Sequence, residues 1–280
     1  LEHCIEDQLE WAEVDVRRTF DGIHLLWHND SVTDTNGKSL KIKESLWSAL
    51  RPVDVGARFA PRFAGEPMLT LKECFALCKG RLNLYLDCKA VNPEQLAREI
   101  VDAGMEKQVV VYLGLEDCRR VQQAGNGKVA TMTKWRPSLG GAEWAATNGL
   151  AAVEIDAPDL TPEVGAAFRR AGIKVQAKVL GDWDKPEFWA RATAAGADWL
   201  QTDLPEEIMA HALWQRLPRR PVQISCHRGA NRYAPENTLP AFEKAIRLGV
   251  DYIEFDVRPS KDGEFFLLHD SRLNRTTDGL

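Results

Sequence analysis

Two stretches near opposite ends of the chain repeat one another. Trp11-Ala-Glu13-Val-Asp15 leads through Asp21-Gly22 to His28, and Tyr252-Ile-Glu254-Phe-Asp256 leads through Asp262-Gly263 to His269. The spacing from Glu-x-Asp to Asp-Gly to His is the same in both, and Glu13 and Glu254 stand 241 positions apart. Solenoid repeats run to about 50 residues, so this period is too long for one. It suits a single (β/α)8 barrel of about 250 residues. The 280-residue chain is therefore expected to divide into 1–217, a barrel lacking its first strand, and 218–280, the opening strand, helix and strand of a second copy. On this reading the chain is a slice of a longer tandem protein.

Between the copies, short β-rich runs alternate with helical stretches. Candidate strands are 12–16, 81–87, 108–113, 128–132, 150–155, 173–179, 197–201 and 222–226, and candidate helices are 70–79, 93–103, 116–124, 161–171, 186–195, 205–216 and 239–248. Thr161-Pro162-Glu163 carries a helix-start signature, with proline at the first helical position. Such alternation predicts a parallel sheet with helical crossovers. No glycine-rich dinucleotide fingerprint follows any strand, and eight strands favour closure over an open doubly wound sheet. The expected fold class is α/β, a TIM-type (β/α)8 barrel, circularly permuted or incomplete, with a partial second copy at the C-terminus.

Composition narrows the partners. A net charge of −5 argues against nucleic acid, whose binding requires a basic surface. No run approaches the roughly 18 apolar residues of a transmembrane helix. The N-terminal residues carry no visible leader, and the compartment stays open. The six cysteines are scattered through apolar or helical stretches, and Cys74 and Cys78, four apart on a helix, read as buried thiols rather than zinc ligands.

The chemistry gathers in the second stretch. Ile224-Ser-Cys-His227-Arg228-Gly229 ends an apolar strand in an imidazole, a guanidinium and a glycine, and Ala234-Pro-Glu236-Asn-Thr238 precedes the next helix. Residues two apart on a strand share a face, so Glu254 and Asp256 converge. Paired carboxylates repel unless a cation lies between them, and hard oxygen donors suit Mg²⁺ or Ca²⁺. Arg228 offers a fork matched to phosphate, and His227 and His269 are of the residue type that most often serves general acid–base chemistry. Each element alone has a plainer explanation: a solvated strand face, a turn histidine, a helix cap. Only the ordered set suits phosphodiester cleavage.

The run from His227-Arg-Gly through Pro-Glu236-Asn-Thr, Glu254-Phe-Asp256, Lys261-Asp-Gly and His269-Asp to Arg275-Thr-Thr-Asp-Gly279 resembles the opening of glycerophosphodiester phosphodiesterases. That resemblance spans about 60 residues and implies a TIM-type barrel and a divalent cation, Mg²⁺ or Ca²⁺. It implies His227 and His269 as catalytic histidines, Arg228 at the phosphate, Glu254 and Asp256 as metal ligands, and Glu236 in the active site. The substrate would be a small glycerophosphodiester, hydrolysed to sn-glycerol 3-phosphate and an alcohol. Residues 5–210 resemble the rest of another such domain, in which Glu13 and Asp15 match the metal pair and His28 the second histidine. Leu84-Tyr-Leu-Asp87-Cys-Lys89 resembles the third strand, with Asp87 where the family usually has a glutamate ligand and Lys89 as a phosphate contact. Asn29 stands in place of the Asp that follows the histidine, a departure that weakens the catalytic expectation for the first copy.

Strand 222–226 is expected to close the first barrel between 12–16 and 197–201, giving a composite site of His227, Arg228, Glu13, Asp15, His28, Asp87 and Lys89. The rival arrangement makes 222–280 the start of an independent neighbour. Alternative functions are a phospholipid or lysophospholipid phosphodiesterase on the same fold, and a weakened copy that binds without turnover. Trp135, Trp144, Trp183, Trp189, Trp199 and Trp214 sit singly along helices and strand ends, which suggests packing. Trp183 follows a strand and is a candidate border of the site's mouth.

Overall fold

The structure is a computed structural model that describes residues 1–34, 36–216 and 222–278. It divides into two compact units, Leu1–Thr202 and Asp203–Leu280. The expected boundary at 217/218, like the Pro218–Pro221 link, lies outside the described residues.

The first unit opens with α1 (Glu2–Glu6), β1 (Trp11–Arg18) and β2 (His24–Leu26). The hairpin β3 (Ser31–Thr33) and β4 (Ser39–Lys41) follows, then α2 (Trp47–Leu50) and α3 (Leu71–Cys78). The alternating run is β5 (Asn83–Ala90), α4 (Pro93–Ala103), β6 (Val109–Tyr112), α5 (Leu115–Ala124), β7 (Ala130–Lys134), α6 (Ala142–Thr147), β8 (Ala152–Asp156), α7 (Pro162–Arg170), β9 (Lys174–Lys178), α8 (Pro186–Ala194) and β10 (Trp199–Gln201). The helices start on local signals. Thr70 and Glu73 form a reciprocal capping box on α3, and Asn92 and Thr161 cap α4 and α7 ahead of prolines.

One eight-stranded sheet runs β10-β9-β8-β7-β6-β5-β1-β2. All neighbours are parallel except β1 and β2, which form a hairpin pairing Val16 with Leu26 and Arg18 with His24. Both faces are covered, so the strands read as near-continuous apolar runs. Leu84, Leu86, Val111, Val153 and Ile155 are fully buried, as are Leu96 and Ile100 on α4. Burying each such side chain contributes about 1.5–3 kcal/mol. Tyr85, Val110, Met132 and Ala152 build the opposite, inner core, against which Trp11 and Trp199 pack. These two indoles stack with centroids 5.2 Å apart and planes at 8°. In a flat sheet β1 and β10, six places apart, would lie about 29 Å from each other at the usual strand spacing of about 4.8 Å. The stack therefore shows that the sheet curls back on itself as an incomplete barrel. Trp199 packs inward as the sequence suggests, with Trp11 against it, and Trp135 meets Phe168 edge-on at 5.4 Å.

Two expectations are corrected here. The eighth strand of this sheet is the antiparallel β2 rather than 222–226, and among the described residues no strand is hydrogen-bonded between β1 and β10. Strand β11 (Ser225–His227) instead pairs in parallel with β12 (Tyr252–Glu254) across α10 (Leu239–Arg247), setting His227 opposite Glu254. The reason is proximity along the chain: a strand–helix–strand unit finds its parallel partner at small loop-closure cost.

The second unit also contains α9 (Pro205–Arg216), β13 (Val257–Pro259) and β14 (Phe265–Leu267). Hairpin β13–β14 pairs Val257 with Leu267 and Pro259 with Phe265, the β1–β2 register displaced by 241 residues. Gly22 and Gly263 turn these hairpins at φ of +89° and +91°, a region costly for residues with a Cβ. The two hairpins thus share one register.

Candidate active site

Barrel chemistry concentrates at the C-terminal ends of strands. In the first unit the parallel register of β1 and β5 pairs Glu13 with Tyr85 and Asp15 with Asp87. Carboxylate oxygens of Glu13, Asp15 and Asp87 all lie within 4.8 Å of one another. The Lys89 amine reaches Asp87 at 2.6 Å and Asp15 at 3.2 Å. Glu13 is reached by solvent yet sits against the concave wall of the sheet. Burial, followed by the charges of Asp15 and Asp87, pushes its carboxyl up to about 7 against the opposing pull of Lys89 and His28. Three carboxylates facing one ammonium leave a net negative pocket of hard oxygen donors, which fits a divalent cation such as Mg²⁺ or Ca²⁺. Asp87 stands within this group despite its shorter side chain.

His28 leaves the β1–β2 hairpin beside this cluster. Its Nδ1 lies 2.9 Å from Asn29 Oδ1, and its carbonyl accepts from Arg17 Nε at 2.9 Å. The hairpin is held by a residue that sequence reading passed over. His24 is buried, with Nδ1 2.8 Å from Glu99 Oε2 and Nε2 accepting the Asn92 backbone N–H at 3.3 Å. An acceptor at Nε2 places the ring proton on Nδ1, so His24 donates to Glu99. This clasp ties the hairpin bearing Glu13, Asp15 and His28 to the segment just beyond Lys89.

Around the inner wall the strands end in further polar groups that the sequence did not flag. Lys134 donates to Glu154 Oε1 at 2.9 Å and to Asp156 Oδ1 at 2.5 Å, and the Tyr85 hydroxyl donates to Glu154 Oε2 at 3.1 Å. Gln176 Nε2 donates to Gln201 Oε1 at 3.0 Å. The signal was present: inward parity at strand ends locates these residues, but the candidate strands stopped at 132 and 155, short of Lys134 and Asp156. A separate cavity of about 320 Å³ beside the β3–β4 hairpin is lined by Asp34 and Asp54. Both carboxylates accept backbone N–H groups.

In the second unit Arg228 adopts φ +55°. Its backbone N–H donates to Glu254 Oε2 at 3.0 Å and its Nη1 to Glu236 Oε1 at 3.1 Å, while its buried Nε stands 3.4 Å from Asp256 Oδ2. Asn237, at φ +58°, grips Asp256 through two hydrogen bonds of 3.0 and 3.1 Å. In sequence it looked like a helix cap; asparagine's tolerance of positive φ explains its place. His269 Nδ1 lies 2.6 Å from Asp270 Oδ1, and Arg275 joins Asp270 to Glu236. These contacts bring Arg228, Glu236, Glu254 and Asp256 together, with His227 exposed at the end of β11 opposite Glu254. Among the described residues only the first unit gathers three carboxylates; the second has no counterpart of Asp87, and its acids engage Arg228 and Asn237. No helix among the described residues is long and apolar enough to cross a membrane.

Comparison with known proteins agrees with this arrangement. The profile of the glycerophosphoryl diester phosphodiesterase family matches residues 1–207 and 227–280. Glycerophosphodiester phosphodiesterases of Bacillus altitudinis and Caldanaerobacter subterraneus are 50% and 46% identical over 56 residues, 20% of this chain. Those matches span only 23% of each relative's length. The fold of a glycerophosphodiester phosphodiesterase from Agrobacterium tumefaciens is similar at a TM-score of 0.64 and 20% identity, covering 72% of this chain and 87% of that one. An Oleispira antarctica phosphodiesterase, solved with the product sn-glycerol-3-phosphate, is similar at 0.59 and 19%, covering 75% and 87%. With the profile covering most of its length, the chain belongs to the glycerophosphoryl diester phosphodiesterase family.

Proposed function

We propose that this chain comes from a metal-dependent glycerophosphodiester phosphodiesterase that releases sn-glycerol 3-phosphate and an alcohol, and that it carries one incomplete copy of the domain and the opening of another. The observation that carries the reading is the convergence of Glu13, Asp15 and Asp87 at the strand ends beside Lys89. The tandem arrangement is supported by the shared hairpin register 241 residues apart. A bound divalent cation would be held by Glu13, Asp15 and Asp87, and would supply charge neutralisation to the phosphoryl oxygens. Lys89 adds a positive charge at the same edge. In the opening of the second copy, Arg228 would turn its fork onto a phosphate, and Glu254 and Asp256 would take the metal role. His227 and His269 would divide the proton work: one accepts the proton of the attacking hydroxyl as the new P–O bond forms, and the other gives a proton to the alkoxide as the old bond breaks. Glu236 and Asp270, joined by Arg275, orient Arg228 and His269.

A second reading has its own support. His269 is backed by a carboxylate, Asp270, whereas His28 is backed by the neutral amide of Asn29. A carboxylate partner stabilises the protonated imidazole and an amide does so far less. This favours a first copy that binds substrate and turns it over weakly. The relation of both readings to larger phospholipid or lysophospholipid substrates rests on pocket width. The test is release of glycerol 3-phosphate from glycerophosphocholine by the 280-residue chain with Mg²⁺ or Ca²⁺, repeated with EDTA and in Asp15→Asn and His227→Ala. EDTA-sensitive turnover lost in Asp15→Asn supports catalysis by the first copy. Tight cation and glycerol 3-phosphate binding without turnover supports the binding copy, and neither binding nor turnover would overturn the proposal for this chain.

A further inference from the structure

Three amines end strands on the inner wall of the first unit, and two are committed. Lys89 is held by Asp87 and Asp15, and Lys134 by Glu154 and Asp156. The third, Lys178, closes β9. Its direction follows from the register. Tyr85 reaches across to Glu154, so Glu154 points inward; Glu154 pairs with Gln176, and Gln176 bonds Gln201. Lys178 lies two residues beyond Gln176 and shares its face. It is half-buried, and among the described residues its ammonium has no carboxylate within ion-pair distance. Asp156, its register partner on β8, is already taken by Lys134. A half-buried ammonium left without a counter-ion at a barrel mouth is an anion site in waiting.

We infer that Lys178 is a specificity residue that receives a carboxylate on the alcohol half of the substrate. The inference rests on the phosphodiesterase reading above, in which the phosphate is held at the β1–β5 edge by the cation site and Lys89. Because β9 is separated from β1 only by β10 and the unpaired gap, both edges face one mouth. A diester held by its phosphate at one edge would present its alcohol toward the other. Lys134 spends its amine on two acids, whereas Lys178 has no ion-pair partner among the described residues.

The experiment compares two diesters that differ by one carboxylate, glycerophosphoserine and glycerophosphoethanolamine. With the intact chain and Mg²⁺ or Ca²⁺, kcat/KM should favour the serine diester at least tenfold. Lys178→Met should bring that ratio toward one, and Lys178→Arg, which keeps the charge, should retain it. A preference under twofold in the unaltered chain, or one that survives Lys178→Met, would overturn the inference. Absence of hydrolysis of either diester counts against the enzymatic reading alone. The ratio of their calorimetric Kd values with Ca²⁺ then decides by the same thresholds: equal affinities overturn the role of Lys178, and a Lys178-dependent preference upholds it.

Discussion

Replacing Lys134 by Met isolates a charge that the fold has buried. The Lys134 amine is the cation for Glu154, at 2.9 Å, and for Asp156, at 2.5 Å. Their fates on its loss differ, because the Glu154 side chain is only 5% exposed and that of Asp156 28%. Water can take over at Asp156, while Glu154 would keep the Tyr85 hydroxyl and little else. Breaking a buried ion pair by removing one partner costs about 3–5 kcal/mol. The surviving tyrosine bond and the 18% exposure of Lys134 bring the expectation to about 2–4 kcal/mol. Eight of the nine tryptophans precede residue 203, so urea unfolding followed by tryptophan fluorescence reports mainly on the first unit. The double variant Lys134→Met/Glu154→Gln removes the stranded charge and should recover at least about 1 kcal/mol of the loss. A single variant within about 0.5 kcal/mol of the parent, or a double variant less stable than the single, would refute the argument from an uncompensated buried charge.

Other consequences follow from the same geometry. Asp87→Asn, which keeps the side-chain volume and removes one charge from the cluster, should weaken Mg²⁺ or Ca²⁺ binding by about tenfold or more in calorimetry; unchanged affinity would remove Asp87 from the cation site. Asn29→Asp gives His28 the carboxylate backing that His269 has, and should raise any turnover that depends on the first unit, read as kcat for glycerophosphocholine. The hydrogen bond from Thr70, with help from Arg51, holds the Glu73 carboxyl below its ordinary range. The folded state therefore favours its ionised form, so its contribution is present at neutral pH and fades as pH falls through the lowered value. Glu73→Gln, which keeps an acceptor for the capping box but removes the charge, should lower stability by about 0.5–1 kcal/mol at pH 7 and by less near pH 3, measured by urea titration at both. Phe168→Ala, which removes a buried ring packed edge-on against Trp135, should cost about 3–5 kcal/mol in the same assay.

Much of this molecule is legible from its residues one after another. Apart from α6 (Ala142–Thr147), which the sequence did not suggest, the strands and helices of the alternating run lie within a few residues of their sequence expectation, because each depends on local signals: apolar runs wide enough for burial on both faces, and caps such as Thr161-Pro162 and Asn92-Pro93. The carboxylate pair on β1 is equally local, since two residues on a strand share a face without reference to anything else. That Asp87 and Lys89 join it could be anticipated from resemblance, but their approach to within ion-pair distance is the work of the parallel register between β1 and β5, chain segments some 70 residues apart.

What local pattern could not decide was partnership. Strand 225–227 has the composition to complete either sheet, and hydrogen bonding gave it to β12, the partner nearest along the chain. The clasp of His24 on Glu99 was likewise invisible, and although strand parity puts Lys134 and Lys178 on the inner face, nothing local says which charges they meet there. Their neighbours come from other strands, and only the curl of the sheet, seen in Trp11 stacked on Trp199, turns separate strand ends into one wall. Side-chain type and period are written residue by residue; which charges meet, and which ammonium is left over, depends on contacts between segments far apart in the chain.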